Sequence, residues 1–184
     1  MAQRVFKTCD PARGRALWRV YISDDLDLDG LLEHSAVADT LRYDVQPDDE
    51  VHVYITTPGG DTDVAEIYKT AIEDCPGVVT TVSVGRVASG GTLIFLAGDH
   101  RVVKPGSYFM FHTVQTSVTG DIFNADRRAS FWLRHFNLYL GYYERILTEG
   151  ELKDLEKGLE IYFTAEEMEQ RLKERKDGGI EAKE

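Results

Sequence analysis

Cysteine is scarce in this sequence: Cys9 and Cys75 are the two present among 184 residues, and no spacing pairs them. That excludes a disulfide framework, and without a CxxC or Cys/His pattern it excludes a thiolate zinc site. Basic residues are outnumbered, 21 Lys and Arg against 32 Asp and Glu, giving a formal charge of −11. Nucleic acid and anionic membrane surfaces need clustered Lys and Arg, so neither is an expected partner. Long apolar runs are missing too. Nothing approaches the roughly 18 uninterrupted apolar residues of a membrane span. The opening MAQRVFKTCDPARGRALWRV lacks the apolar stretch of a signal peptide. A cytoplasmic, reducing setting is expected.

What is present suits one globular domain with a real core. WRVYIS (Trp18 to Ser23), VHVYITT with Val51, Val53 and Ile55 alternating, VVTTVSVG and IYFT read as strands. HRVVKPGSYFMFH reads as two short strands about Pro105-Gly106. Leu31, Leu32, Ala36, Ala38 and Leu41 fall roughly on one helical face, and Asp63 to Asp74 places Val64, Ile67, Ala71 and Ile72 inward. Gly90 to Leu96 is a short apolar helix, and Leu152 to Leu159 is helical as well. The longest helix follows Gly120, with Thr119 as its N-cap. Its apolar positions, from Ile122 through Leu133 and Tyr143 to Leu147, cover more than one packed face needs, which predicts contact with another subunit. Strands alternating with helices indicate an α/β domain. Residues 1–17 are expected to form a loosely held arm, 18–172 the domain, and 173–184 a charged, disordered tail.

The stretch GRVASGGTLIFLAG puts Ser89 between a strand and a helix, followed by two glycines. Two readings stay open on these residues alone. Serine is favoured as a helix cap. The same position also suits a nucleophile, whose neighbouring amide can hold an oxyanion. Pro58-Gly59-Gly60 closes another strand and can present a second bare N–H. Crevices beyond strand ends are where open α/β sheets bind ligands. His112 ends an apolar strand, where a lone histidine is usually a packed residue. Beside a candidate nucleophile it suits proton transfer, since imidazole titrates near neutral pH. His34, His52, His100 and His135 lack that setting and read as structural or solvated. DDLDLDG has Asp25, Asp27, Asp29 and Gly30 spaced as in a calcium loop, but Ala36 stands where the twelfth-position glutamate belongs, so it reads as an acidic turn.

Taken in order, ITTPGG, GRVASGG and the AG…R…P.S..MFH block resemble the proteolytic subunit of the Clp protease, ClpP, whose usual motifs are INSPGG, G.AASMG and M.HQP. The resemblance covers about residues 18 to 168, and the block from Tyr54 to His112 is its specific part. It implies a ClpP/crotonase-like fold, a ββα spiral with a protruding long helix. It also implies a serine-type endopeptidase with a Ser-His-acid triad, working as a homo-oligomeric heptameric ring on unfolded or peptide substrates without cofactor or metal. An AAA+ unfoldase is the partner such rings take. By position, Ser89 is the nucleophile and His112 the base. The Gly60 and Gly90 amides are the oxyanion donors, and Gly59 lies beside them in the substrate site. Glu160 of Glu160-Ile-Tyr-Phe-Thr-Ala165 stands where the family has its acid, with Asp154 and Glu156 as alternatives. The peptide is expected as an added strand along the backbone after Gly60.

The sequence departs from the family pattern at three places. Gly158-Leu159 replaces the Glu-Arg pair that bonds two rings face to face, which leaves a second ring open. HTV stands for HQP, and the N-terminal region does not match the axial loop that docks an unfoldase. Two other functions compete with the peptidase: a catalytically silent ring or scaffold subunit, and a crotonase-type acyl-CoA enzyme.

Overall fold

The computed structural model describes residues 4–10, 14–115 and 121–174. Strands β1 (Arg4–Asp10) and β2 (Arg15–Ser23) pair antiparallel, from Arg4 opposite Tyr21 to Asp10 opposite Arg15. Residues 4–10 are therefore an edge strand, not a loose arm. Side-chain contacts help hold them: Val5 packs on the core, and the Lys7 ammonium lies 4.4 Å from the Trp18 ring directly across the ladder. The alternation that signals a strand was hidden there by charged neighbours.

Strands β3 (Glu50–Thr57) and β4 (Val78–Ala88) continue the sheet in parallel. β4 then serves two neighbours in succession. Its Thr80–Ser83 stretch pairs with β5 (His100–Val103), and Arg86–Ala88 pairs with β6 (Tyr108–Phe111), both parallel. β7 (Ile161–Thr164) closes the far edge antiparallel to β6, so the sheet runs β1-β2-β3-β4-β6-β7 with β5 off that path. Among the described residues six α-helices pack around it: α1 (Leu31–Asp39), α2 (Thr62–Glu73), α3 (Gly90–Ala97), α4 (Ile122–Tyr143), α5 (Glu149–Glu156) and α6 (Ala165–Glu174).

The alternating positions Val51, Val53 and Ile55 on β3 are buried, and on β2 Trp18, Val20 and Ile22 are buried in the same way. Buried hydroxyls on β4 find partners, as buried polar groups must. Thr81 donates to the Phe95 carbonyl (2.7 Å), and Ser83 bonds Ser107 (3.0 Å). Asp49 ties the first strands together from inside. It accepts from the Ala16 N–H (2.7 Å), Trp18 Nε1 (2.8 Å) and the Gln46 N–H (3.1 Å). Burial pushes this carboxyl up, but those three donors outweigh it and hold the group below its ordinary value.

One helical face differs from expectation, and the long helix leaves part of its wide apolar side exposed. On α1 the inward residues are His34, Val37 and Ala38, with Leu41 just beyond, while Leu31, Leu32 and Ala36 face solvent. The chain leaves α1 through a wider turn over Thr40–Asp44, and a polar residue is tolerated inside because His34 Nδ1 meets Tyr68 Oη at 2.9 Å. On α4, Phe136, Tyr139, Leu140, Tyr142 and Tyr143 are buried, but Ile122 and Leu133 are 78% and 65% exposed. The outer half of that helix projects beyond the body. Asp121 caps it, accepting from the Phe123 and Asn124 N–H groups (3.2 and 3.1 Å). Thr119, the expected cap, lies outside the described residues, as does most of the expected tail, though Lys173 and Glu174 belong to α6. Among the described residues no helix is long and apolar enough to cross a membrane.

Candidate active site

Three strand ends converge on one turn. β4 stops at Ala88 and α3 starts at Gly90, leaving Ser89 alone between them at φ 53°, ψ −125°. A helix-capping serine has negative φ and its hydroxyl bonded to the first turn. Ser89 has neither: its side chain makes no cap bond. A non-glycine residue in this region costs about 1–3 kcal/mol and persists only where neighbours over-determine it. Two backbone bonds contribute here: the Ser89 N–H donates to the Met110 carbonyl (2.8 Å), and its own carbonyl accepts from the Thr92 N–H (2.9 Å).

The strained turn lifts Oγ toward β6. His112 follows that strand directly, and its Nε2 lies 2.6 Å from Ser89 Oγ. For Nε2 to accept the serine proton the imidazole must be neutral with its hydrogen on Nδ1. Burial favours this, holding His112 below its ordinary 6.5, against an opposing pull from the Glu160 carboxylate.

Glu160 reaches that position through the β6–β7 ladder. Phe111 stands opposite Ile161, so the next positions outward, His112 and Glu160, oppose each other. The glutamate is exposed, and its hydrogen bond is to Tyr162 Oη (2.6 Å); among the described residues it makes none to the imidazole. Asp154 lies on α5 paired with Lys157 (2.9 Å), and Glu156 is exposed on the same helix. Of the three acids, Glu160 is the one whose charge acts on His112.

The Pro58-Gly59-Gly60 turn packs against Ser89 from the β3 side. Gly59 has φ 94°, and a Cβ there would sit 2.5 Å from the Ser89 Cβ. Its N–H donates to Thr57 Oγ1 (3.0 Å), and that hydroxyl donates to the Asp24 carbonyl (2.6 Å). Gly59 thus supplies room, not a donor. Gly60 bridges Leu26, and Leu26 makes both bonds of the bridge: its N–H to the Gly59 carbonyl (2.9 Å) and its carbonyl from the Asp61 N–H (2.6 Å). The N–H of Gly60 therefore faces away from Leu26. The N–H of Gly90 is one of the first-turn donors that no helix can satisfy internally. Ser89, His112, Gly59, Gly60 and Gly90 are brought together. The backbone after Gly60 is not free for an added strand, because Asp61 bonds Leu26 and caps α2, which begins at Thr62.

Sequence reasoning missed Thr57, Leu26 and Tyr162. Thr57, two residues before Gly59, had a local signal, since threonine hydroxyls take N–H groups two residues on. Leu26 had none, because its role comes from a bridge to a distant segment. The calcium-like spacing around it belongs to a turn in which Asp27 accepts from the Gly30 N–H (2.7 Å).

A family model described as Clp protease matches residues 32–146 of this chain. The ATP-dependent Clp protease proteolytic subunit of Deinococcus radiodurans is 27% identical over 142 residues, spanning 74% of this chain and 68% of that one. The chain belongs to the Clp protease family, as its glycine and serine motifs suggested, and its mixed sheet with flanking helices is consistent with that family's fold.

Proposed function

We propose that this Clp protease family member is a serine endopeptidase in which Ser89 attacks the peptide carbonyl and His112 moves the proton. The observation carrying this reading is the 2.6 Å approach of His112 Nε2 to a serine hydroxyl on a strained, glycine-flanked turn. Neutral His112 takes the Oγ proton as Oγ bonds to the carbonyl carbon. The Gly60 and Gly90 N–H groups receive the oxyanion, and the positive end of α3 adds to that field. The intermediate collapses by breaking the C–N bond, the amine leaving with the proton from His112. Water, deprotonated by the same imidazole, then releases the acyl group from Ser89. Glu160 is the acid that favours the transient imidazolium.

The working form is a homo-oligomeric ring of the kind its family forms, heptameric by resemblance, acting on unfolded or peptide substrates, with an AAA+ unfoldase as candidate partner and a cytoplasmic setting. The apolar residues exposed along α4 support a subunit contact there: Ile122, Phe123, Phe131, Leu133 and Leu138 all face solvent in the single chain.

Turnover of fluorogenic peptides by oligomer of measured native mass tests the assignment. Wild type should cleave, and Ser89→Ala should not. A second reading, a silent ring subunit, draws on the bond Glu160 accepts from Tyr162 rather than from the imidazole. An assembled, folded wild type with no turnover of any peptide would favour that reading.

A further inference from the structure

The turn that carries Ser89 needs restraint beyond its own backbone, and one side chain supplies it. Thr92, fully buried on the first turn of α3, donates its hydroxyl proton to the Ser89 carbonyl at 2.6 Å. The same oxygen lies 3.0 Å from Tyr143 Oη. A threonine hydroxyl has one proton. Since that proton is committed to Ser89, Tyr143 must be the donor in the second contact. Burial pushes the Tyr143 phenol up to about 12, so it keeps its proton throughout the working range of a peptidase. The result is a directed chain, Tyr143 to Thr92 to the Ser89 carbonyl.

Tyr143 touches the other half of the site as well. Its ring meets Phe111 edge-on, centroids 5.1 Å apart, and Phe111 immediately precedes His112. One side chain, at the C-terminal end of α4, thus contacts the segment holding the candidate nucleophile through its hydroxyl and the segment holding the candidate base through its ring.

We propose that Thr92 and Tyr143 are positioning residues that clamp Ser89 in its strained conformation and fix its hydroxyl against His112. The inference rests on the peptidase reading for its catalytic consequence, but the clamp itself is a property of the turn. Neither residue touches substrate. Loss of either hydroxyl lets the turn relax toward ordinary φ, moving Oγ off the imidazole, and misplacements of about 1 Å cost up to ~10²-fold in rate.

The test uses the whole 184-residue chain and four proteins: wild type, Thr92→Val, Thr92→Ser and Tyr143→Phe. The second-order rate of fluorophosphonate labelling, normalised to the sites that finally label, separates misplacement from partial unfolding. Amide exchange at Ser89 and Thr92 reads the turn without needing activity. Thr92→Val is expected to label about 10²-fold more slowly, with faster exchange at both amides, and Tyr143→Phe about tenfold more slowly. The hydroxyl restored in Thr92→Ser should recover most of the rate, and kcat should carry the losses with KM little changed. Wild-type labelling rates and exchange in Thr92→Val and Tyr143→Phe would overturn the clamp. A wild type that never labels would overturn the peptidase reading and the catalytic consequence, while exchange would still decide whether Thr92 and Tyr143 hold the turn.

Discussion

Around Ser89 the protein is closely packed and held by hydrogen bonds, whereas along the outer half of α4 it is open and apolar. Gly90, Gly91 and Thr92 are buried beside Ser89, the carbonyl of that serine accepts two bonds, and its hydroxyl has a partner at 2.6 Å. Further along the chain, Ile122 and Phe123 are 78% and 77% exposed, uncovered by the other described residues. The contrast teaches that strain at Ser89 is held by bonds within a single chain, whereas the outer α4 surface is left exposed by the described residues. The Ser89 turn pays for strain with hydrogen bonds; α4 has no such compensation within the protomer.

The sharpest way to break the comparison is at the closed region. His112→Ala should lower kcat/KM for peptide hydrolysis by roughly 10⁴-fold, because members of such a constellation act as a unit. Retained activity would separate the imidazole from the chemistry. At the open region the expectation reverses. Ile122→Asp with Leu133→Asp should leave thermal unfolding of the protomer within about 0.5 kcal/mol of wild type. The same pair should abolish the oligomer seen by native mass. Loss of protomer stability without change of assembly would mean that the outer helix packs inward.

Asp49→Ala probes burial far from the chemistry. Three donors lose their acceptor, and unfolding should become easier by about 3 kcal/mol in denaturant titration. Glu160→Gln is a smaller lesion, since the carboxylate is exposed and shared with Tyr162. It should reduce kcat by about ten- to a hundredfold. Removing a charge that raises the His112 pKa should also move the acid limb of the rate profile to lower pH. A limb that stays in place would detach Glu160 from the base. The mildest effect is on stability. Burial lowers His34 and His112 in the fold below their unfolded values near 6.5, so the unfolded chain binds more protons as pH falls through that range. Stability should therefore decline from about pH 7 toward 5.

Much of this was legible in the residues. The alternating β2 and β3 strands, the Gly90 helix and the α/β class follow from local pattern, and so do the motifs at Gly60, Ser89 and His112. Two kinds of feature were not. Residues 4–10 look like a basic arm because their pairing partner lies beyond a turn, and the inward His34 depends on Tyr68, more than thirty residues away. The outer α4 residues carry a different limit: their apolar pattern exceeds what one packed face needs, and Ile122 and Leu133 are exposed, but the pattern does not say what meets them. The bond between Glu160 and Tyr162 shows the limit at the site itself, because motif position puts an acid opposite the histidine but not the direction its carboxylate turns.

The central claim is that the hydroxyl held at 2.6 Å from His112 is a reactive nucleophile. Intact-mass analysis after treatment with a fluorophosphonate, followed by peptide mapping, measures it. One adduct per chain on Ser89, and none on Ser89→Ala, is the predicted result. Equal labelling of the two proteins, or an assembled wild type that stays unmodified, would contradict it.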